Sequence, residues 1–70
     1  MSDATRIDAR GLRCPWPALR LARALRQQGT PLEILADDPA AEREIRALAE
    51  AHGIAVTAFA IDGSPTFRIG

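Results

Sequence analysis

The sequence contains no lysine and no tyrosine, and its 70 residues include one cysteine and one histidine. Without lysine there is no Schiff-base amine and no Walker-type phosphate lysine. A single cysteine excludes an internal disulfide and a cysteine-cluster zinc site, so no metal centre is expected. The lone His52 has no serine near it, which argues against a hydrolase triad. Aromatic residues make up 4%, and Trp16, Phe59 and Phe67 are too scattered for a base-stacking platform. Charge of one sign is also missing: nine arginines balance nine acidic residues. That argues against direct nucleic-acid binding, leaving at most a local patch. The longest apolar run, Ile54 to Ile61, is eight residues interrupted by Thr57, too short to span a membrane. Met1 to Arg6 lacks the apolar core of a secretory signal, so the expected location is the cytoplasm. There a lone cysteine stays a thiol. What is present is ordinary: 47% hydrophobic and 26% charged residues describe one small globular domain spanning 1–70.

Punctuation by glycine and proline divides the chain. Thr5 to Ala9, centred on Ile7, reads as a short strand. Gly11 to Cys14 is a turn. Pro15 and Pro17 then stand where a helix begins, since proline is tolerated in the first turn. The spacing predicts a helix from Trp16 to Gln28 with Ala18, Leu21, Ala22 and Leu25 as its apolar stripe. Arg20, Arg23 and Arg26 make its outer face basic, and Gly29 and Pro31 end it. Leu32 to Asp37 alternates as a strand with one buried face, which leaves Leu35 on the opposite side. Asp38-Pro39 is an N-cap followed by proline, opening a second helix from Pro39 to His52. Its stripe is Ala41, Ile45, Leu48, Ala49 and His52. Ile54 to Ile61 reads as a strand, Asp62 to Pro65 as a turn, and Thr66 to Ile69 as a last strand closing a hairpin. Right-handed strand–helix–strand crossovers put both helices on one face of a sheet. The expected fold is a two-layer α/β sandwich of the α+β kind, βαβαββ, with a four-stranded mixed sheet. Both parities of Ile54–Ile61 are apolar, so its register is left open.

The segment Asp8-Ala9-Arg10-Gly11-Leu12-Arg13-Cys14-Pro15-Trp16-Pro17 carries the chemistry. Cys14 falls at the cap position of the first helix, where free backbone N–H groups and the positive dipole end converge. Arg10 and Arg13 add positive potential. These effects favour the nucleophilic thiolate, and the two prolines hold the sulfur exposed at a fixed angle. A lone cysteine is otherwise most often a small buried hydrophobe.

This stretch resembles the signature of the TusA/SirA-like sulfur-carrier family, an Arg-Gly turn followed by Cys-Pro-x-Pro at the start of the first helix. Ala36-Asp37-Asp38-Pro39-Ala40 resembles the Asp-Asp-Pro-Ala start of that family's second helix. The resemblance covers essentially the whole chain. It implies a two-layer sandwich like the C-terminal domain of a bacterial translation initiation factor. It also implies that Cys14 accepts a sulfane sulfur as a persulfide from a cysteine desulfurase or rhodanese-like protein, then relays it to an acceptor protein's cysteine. The carrier itself needs no cofactor and acts as a sulfurtransferase-type relay protein.

Other residues are candidates beside Cys14. Arg10, Arg13, Pro15 and Pro17 would position or tune the thiolate. Trp16, Asp37, Asp38, Arg20 and Arg23 would meet the partner, because both helix N-termini lie at one end of a parallel sheet. His52 sits at the far end of its helix. The rival reading is a non-catalytic interaction module binding protein or RNA, with Cys14 incidental. A redox sensor is weaker, because no second cysteine could resolve an oxidised sulfur.

Overall fold

The structure is a computed structural model and describes residues 5–70. The reading of the chain's start as lacking a signal core falls partly on residues 1–4, outside the described residues. The elements are β1 (Thr5–Asp8), α1 (Trp16–Gln27), β2 (Leu32–Leu35), α2 (Ala41–Ala51), β3 (Val56–Ile61) and β4 (Ser64–Ile69). They form the expected two-layer fold, a mixed four-stranded sheet of order β1-β2-β4-β3 carrying two helices.

The first crossover behaves as its sequence predicts: β1 and β2 are parallel neighbours, with Ile7 opposite Ile34. The second does not end beside its starting strand, because β4 inserts between β2 and β3, antiparallel to both. Burial explains the order. Thr66, Phe67 and Ile69 of β4 are buried, whereas Thr57 to Ala60 of β3 are exposed. The strand with more to bury takes the interior position.

The pairings also fix the register left open by the sequence. Leu32 and Ile34 align with Ile69 and Phe67, and these with Val56 and Ala58. Directly opposed residues share a face, so this set points to the helices. Thr57, Phe59 and Ile61 take the open face. Leu21 from α1 and Ile45 from α2 complete the core beside Leu32, Ile34 and Ile69, all fully buried. Each such side chain contributes about 1.5–3 kcal/mol of transfer free energy.

Several boundaries differ, each for a local reason. The hairpin closes on two residues, Asp62 (φ 50°) and Gly63 (φ 79°). That is the left-handed pair of a type I′ turn, so Ser64 already faces Ile61 and β4 starts two residues before the expected Thr66. Pro65 is tolerated because the β2–β4 ladder ends there, with the Ala36 N–H donating to the Pro65 carbonyl (3.1 Å). α2 ends in a Schellman motif: Gly53 (φ 68°) donates to the Glu50 carbonyl and Ile54 to the Ala49 carbonyl. This use of Ile54 delays β3 to Val56. His52, placed on the buried stripe by spacing, is instead the exposed residue that closes the helix. On α1 the buried residues are Pro17, Leu21 and Ala24, so the stripe is rotated from the expected one.

Leu35 is a further correction. It points to the open face as expected but is only 4% exposed. The Arg10 guanidinium, bound to Asp8 on β1 and reaching Ser64 on β4 (3.5 Å), spans the β2 end that carries Leu35. An arginine stem here does the covering that a missing layer would do.

Candidate functional site

The β1–α1 loop and the β2–α2 loop meet at the C-terminal ends of the two parallel strands. There the main chain of one loop is held by the carboxylates of the other. Asp37 Oδ1 accepts the Gly11 N–H (3.0 Å). Asp38 Oδ2 accepts the Cys14 N–H (2.6 Å), and its Oδ1 accepts the Ala40 N–H (2.9 Å). The Asp38 carbonyl also accepts the Ala41 N–H (2.9 Å). One side chain therefore closes the turn that leads into α2 and fixes the backbone of Cys14 before α1. These donors hold the Asp38 carboxyl below its usual range, Ala40 first and Cys14 second, against partial desolvation and with help from the Arg13 charge. The helix itself starts at Ala41, two residues after the expected Pro39, and its cap residue is Ala40, with no side-chain bond, in place of the expected Asp38.

Cys14 is exposed. The Cys14–Pro15 peptide bond is cis. The first turn continues with Trp16 N–H donating to the Arg13 carbonyl (2.8 Å) and Leu19 N–H to the Pro15 carbonyl (3.0 Å). No side chain of α1 itself caps the helix, and its first turn holds no acidic residue. The positive end of the dipole thus remains beside the cysteine, while few N–H groups do: Pro15 and Pro17 have none, the Trp16 N–H is taken by the Arg13 carbonyl and the Cys14 N–H by Asp38. Pro17 is buried and pins the helix to the core, while Pro15 is exposed. A cleft of about 400 Å³ opens beside them, lined by Gly11, Leu12, Arg13, Asp37, Asp38 and Pro39.

Among the residues singled out by sequence, the structure brings Arg13, Asp37 and Asp38 together around the cleft, and of these Asp38 bonds the Cys14 main chain while Asp37 bonds that of Gly11. Arg10 goes elsewhere. Its guanidinium grips both oxygens of Asp8 (2.9 and 2.7 Å) on the open face of the sheet. Asp8 two residues upstream captures it, and the pairing brings the Asp8 carboxyl down to about 2. Arg20 donates to the Asp8 carbonyl (3.4 Å), and Arg23 lies exposed on the outer face of α1. Trp16 is 58% exposed, so its ring does not fold onto the core. The sequence reading missed Leu19, 50% exposed. Its signal was available: it stands three residues from Trp16 and off the buried stripe, so the two form one apolar patch next to Cys14. Arg20, Arg23 and Arg26 extend that face.

Among the described residues, no three His, Cys, Asp or Glu side chains gather where they could hold a metal ion. No described helix is long and apolar enough to cross a membrane. The arrangement suits one chemistry: an exposed sulfur on a rigid backbone at a helix start, reachable by another macromolecule.

The comparisons agree with that geometry. Residues 5–69 match the family model described as sulfurtransferase TusA. The crystal structure of a SirA-like protein from Desulfitobacterium hafniense is similar, with 28% identity and a TM-score of 0.83, covering 93% of each chain. The family works in sulfur relay with partner proteins, a sulfur-carrier role. The chain belongs to the sulfurtransferase TusA family.

Proposed function

We propose that this protein is a cytoplasmic sulfur carrier that holds sulfur as a persulfide on Cys14. The observation that supports the reading is the exposed Cys14 at the uncapped start of α1, its own N–H tied down by Asp38. In the first step the Cys14 thiolate attacks the outer sulfur of a donor persulfide, on a cysteine desulfurase or a rhodanese-like protein. A bond forms between Cys14 Sγ and the sulfane sulfur, the donor S–S bond breaks, and the donor leaves as a thiolate. In the second step an acceptor thiolate attacks the terminal sulfur and Cys14 leaves as a thiolate. No net oxidant or reductant is needed, and the sulfur stays at the sulfane level throughout.

The remaining residues have separate duties. Asp37 and Asp38 position the loop, Pro15 and Pro17 limit where the sulfur can swing, and Arg13 lends positive charge at the cleft. Trp16 and Leu19 supply the apolar anchor for partner proteins, with Arg20 and Arg23 at its edge. The rival reading, an interaction module with an incidental cysteine, gives no reason for a carboxylate from another loop to hold the Cys14 backbone.

The deciding experiment is the intact mass of the purified chain after incubation with a cysteine desulfurase, its pyridoxal cofactor and cysteine. A gain of one sulfur, reversed by a thiol reductant and absent in Cys14→Ser, is expected. No gain with that donor, nor with a rhodanese and thiosulfate, would sink the carrier reading.

A further inference from the structure

The sheet has two edges of opposite character. β1 is four residues long and carries Arg6 and Asp8. Charges of this kind blunt an edge against further pairing. β3 is six residues long, and the whole stretch from Ile54 to Ile61 has no charged residue, no proline and no glycine. In a chain with 26% charged residues, about two would be expected there. Thr57, Ala58, Phe59 and Ala60 are exposed.

Which backbone groups face outward follows from the ladder. The Gly70 N–H donates to the Ala55 carbonyl (3.0 Å), so Ala55 directs its polar groups to β4. Alternation then assigns Thr57, Phe59 and Ile61 to β4 as well, and turns the N–H and C=O of Val56, Ala58 and Ala60 outward. Among the described residues no backbone partner reaches those three from the far side. Beside this edge runs a groove of about 450 Å³ lined by Arg46, Glu50, Gly53, Ile54 and Val56.

We infer that the outer edge of β3 is a self-association surface, where a second copy of this chain adds its own β3 antiparallel about a two-fold axis at Ala58. The strand is complementary to itself in that register. Ala58 faces Ala58 and Val56 faces Ala60, so all three outward residues exchange both of their hydrogen bonds. On the open face Phe59 stands opposite Thr57, an aromatic against a β-branched residue, a stabilising cross-strand pair. Because the strand is uncharged, the symmetry puts no like charges together. Asp62 of the second copy arrives opposite Ile54, at the mouth of the groove lined by both Arg46 and Glu50, so the register rests on the uncharged strand and not on a charge pair. The open face itself is a poorer surface, since Glu33 lies there between Arg6 (3.2 Å) and Arg68 (3.6 Å). The pairing uses the edge remote from β1 and leaves Cys14 free in both copies.

The test is sedimentation equilibrium of the full chain over a concentration series reaching about 1 mM. The wild type is expected to show a reversible monomer–dimer equilibrium. T57E/F59E sets two carboxylates opposite each other across the axis and is expected to weaken dimerisation at least about tenfold. Position 57 pairs with Arg68 within its own chain, so a carboxylate there meets a cation and the fold is retained, as circular dichroism would verify. T57E/F59K instead sets a carboxylate at position 57 opposite an ammonium at position 59 of the second copy, and is expected to recover the dimer. A wild type monomeric throughout would overturn the inference. So would a dimer indifferent to T57E/F59E, or one that T57E/F59K fails to recover.

Discussion

Helix α2 carries its own stabilising devices at both ends. Asp38 closes the turn that leads into it, Glu42 and Glu44 occupy its first turn, Arg46 pairs with Glu42 (2.9 Å), and Gly53 closes it. Helix α1 has no acidic residue in its first turn; it begins at Trp16, directly after Pro15, and shows Trp16 and Leu19 to solvent. The two helices lie on the same sheet and bury comparable anchors. The difference is therefore confined to their starts, and it separates a helix serving the fold from one whose N-terminus is kept for chemistry. Asp38 joins them by closing the turn before α2 and steadying the cysteine before α1.

Four experiments break or sharpen that contrast. The largest effect is expected from truncating the anchors: Leu21→Ala and Ile45→Ala should each cost about 2–5 kcal/mol in urea unfolding. Similar losses would establish equal anchoring of the helices; a negligible loss for either would refute it. Next comes Asp38→Ala. It should lower Tm more than Glu42→Ala does and slow sulfur loading of Cys14 by about tenfold, since the backbone before the sulfur is no longer fixed. Unchanged loading would show that the bond to Cys14 is dispensable.

The third concerns acid. Asp8 and Asp38 both have folded values below the ordinary 3.8, Asp8 at about 2. A depressed carboxylate contributes stability that is fully present above the unfolded value and is lost as pH falls through the folded one. The urea midpoint should thus hold down to about pH 4 and decline toward about pH 2, with a shallower decline in Asp8→Asn. An identical decline in that variant would remove Asp8 from the account. Smallest is Glu42→Ala, which deletes an exposed i,i+4 pair and should cost about 0.3–0.5 kcal/mol in the same assay.

Much of this was legible in the residues. Proline and glycine positions gave the element order, the start of α1 and the hairpin, because these residues act through their own backbone restrictions; Asp38-Pro39 instead makes a turn, and α2 starts at Ala41. The Cys-Pro-x-Pro and Asp-Asp-Pro-Ala segments located the two loops that meet. What stayed hidden depended on partners distant in sequence. The interior place of β4 comes from comparing its burial with that of β3, which no local pattern contains. Arg10 stands four residues from Cys14 in sequence, yet Asp8 draws it onto the sheet. The bond from Asp38 to the Cys14 amide joins positions 24 apart and has no periodic signal.

That same bond has a consequence in time. One carboxylate holds both the Ala40 and the Cys14 amides, so a fluctuation that swings Asp38 away releases them together. Fraying at the start of α2 and loosening of the backbone under the sulfur are then one opening event, with a shared rate of amide hydrogen exchange. The readiness of the cysteine is timed by a helix that never touches the sulfur.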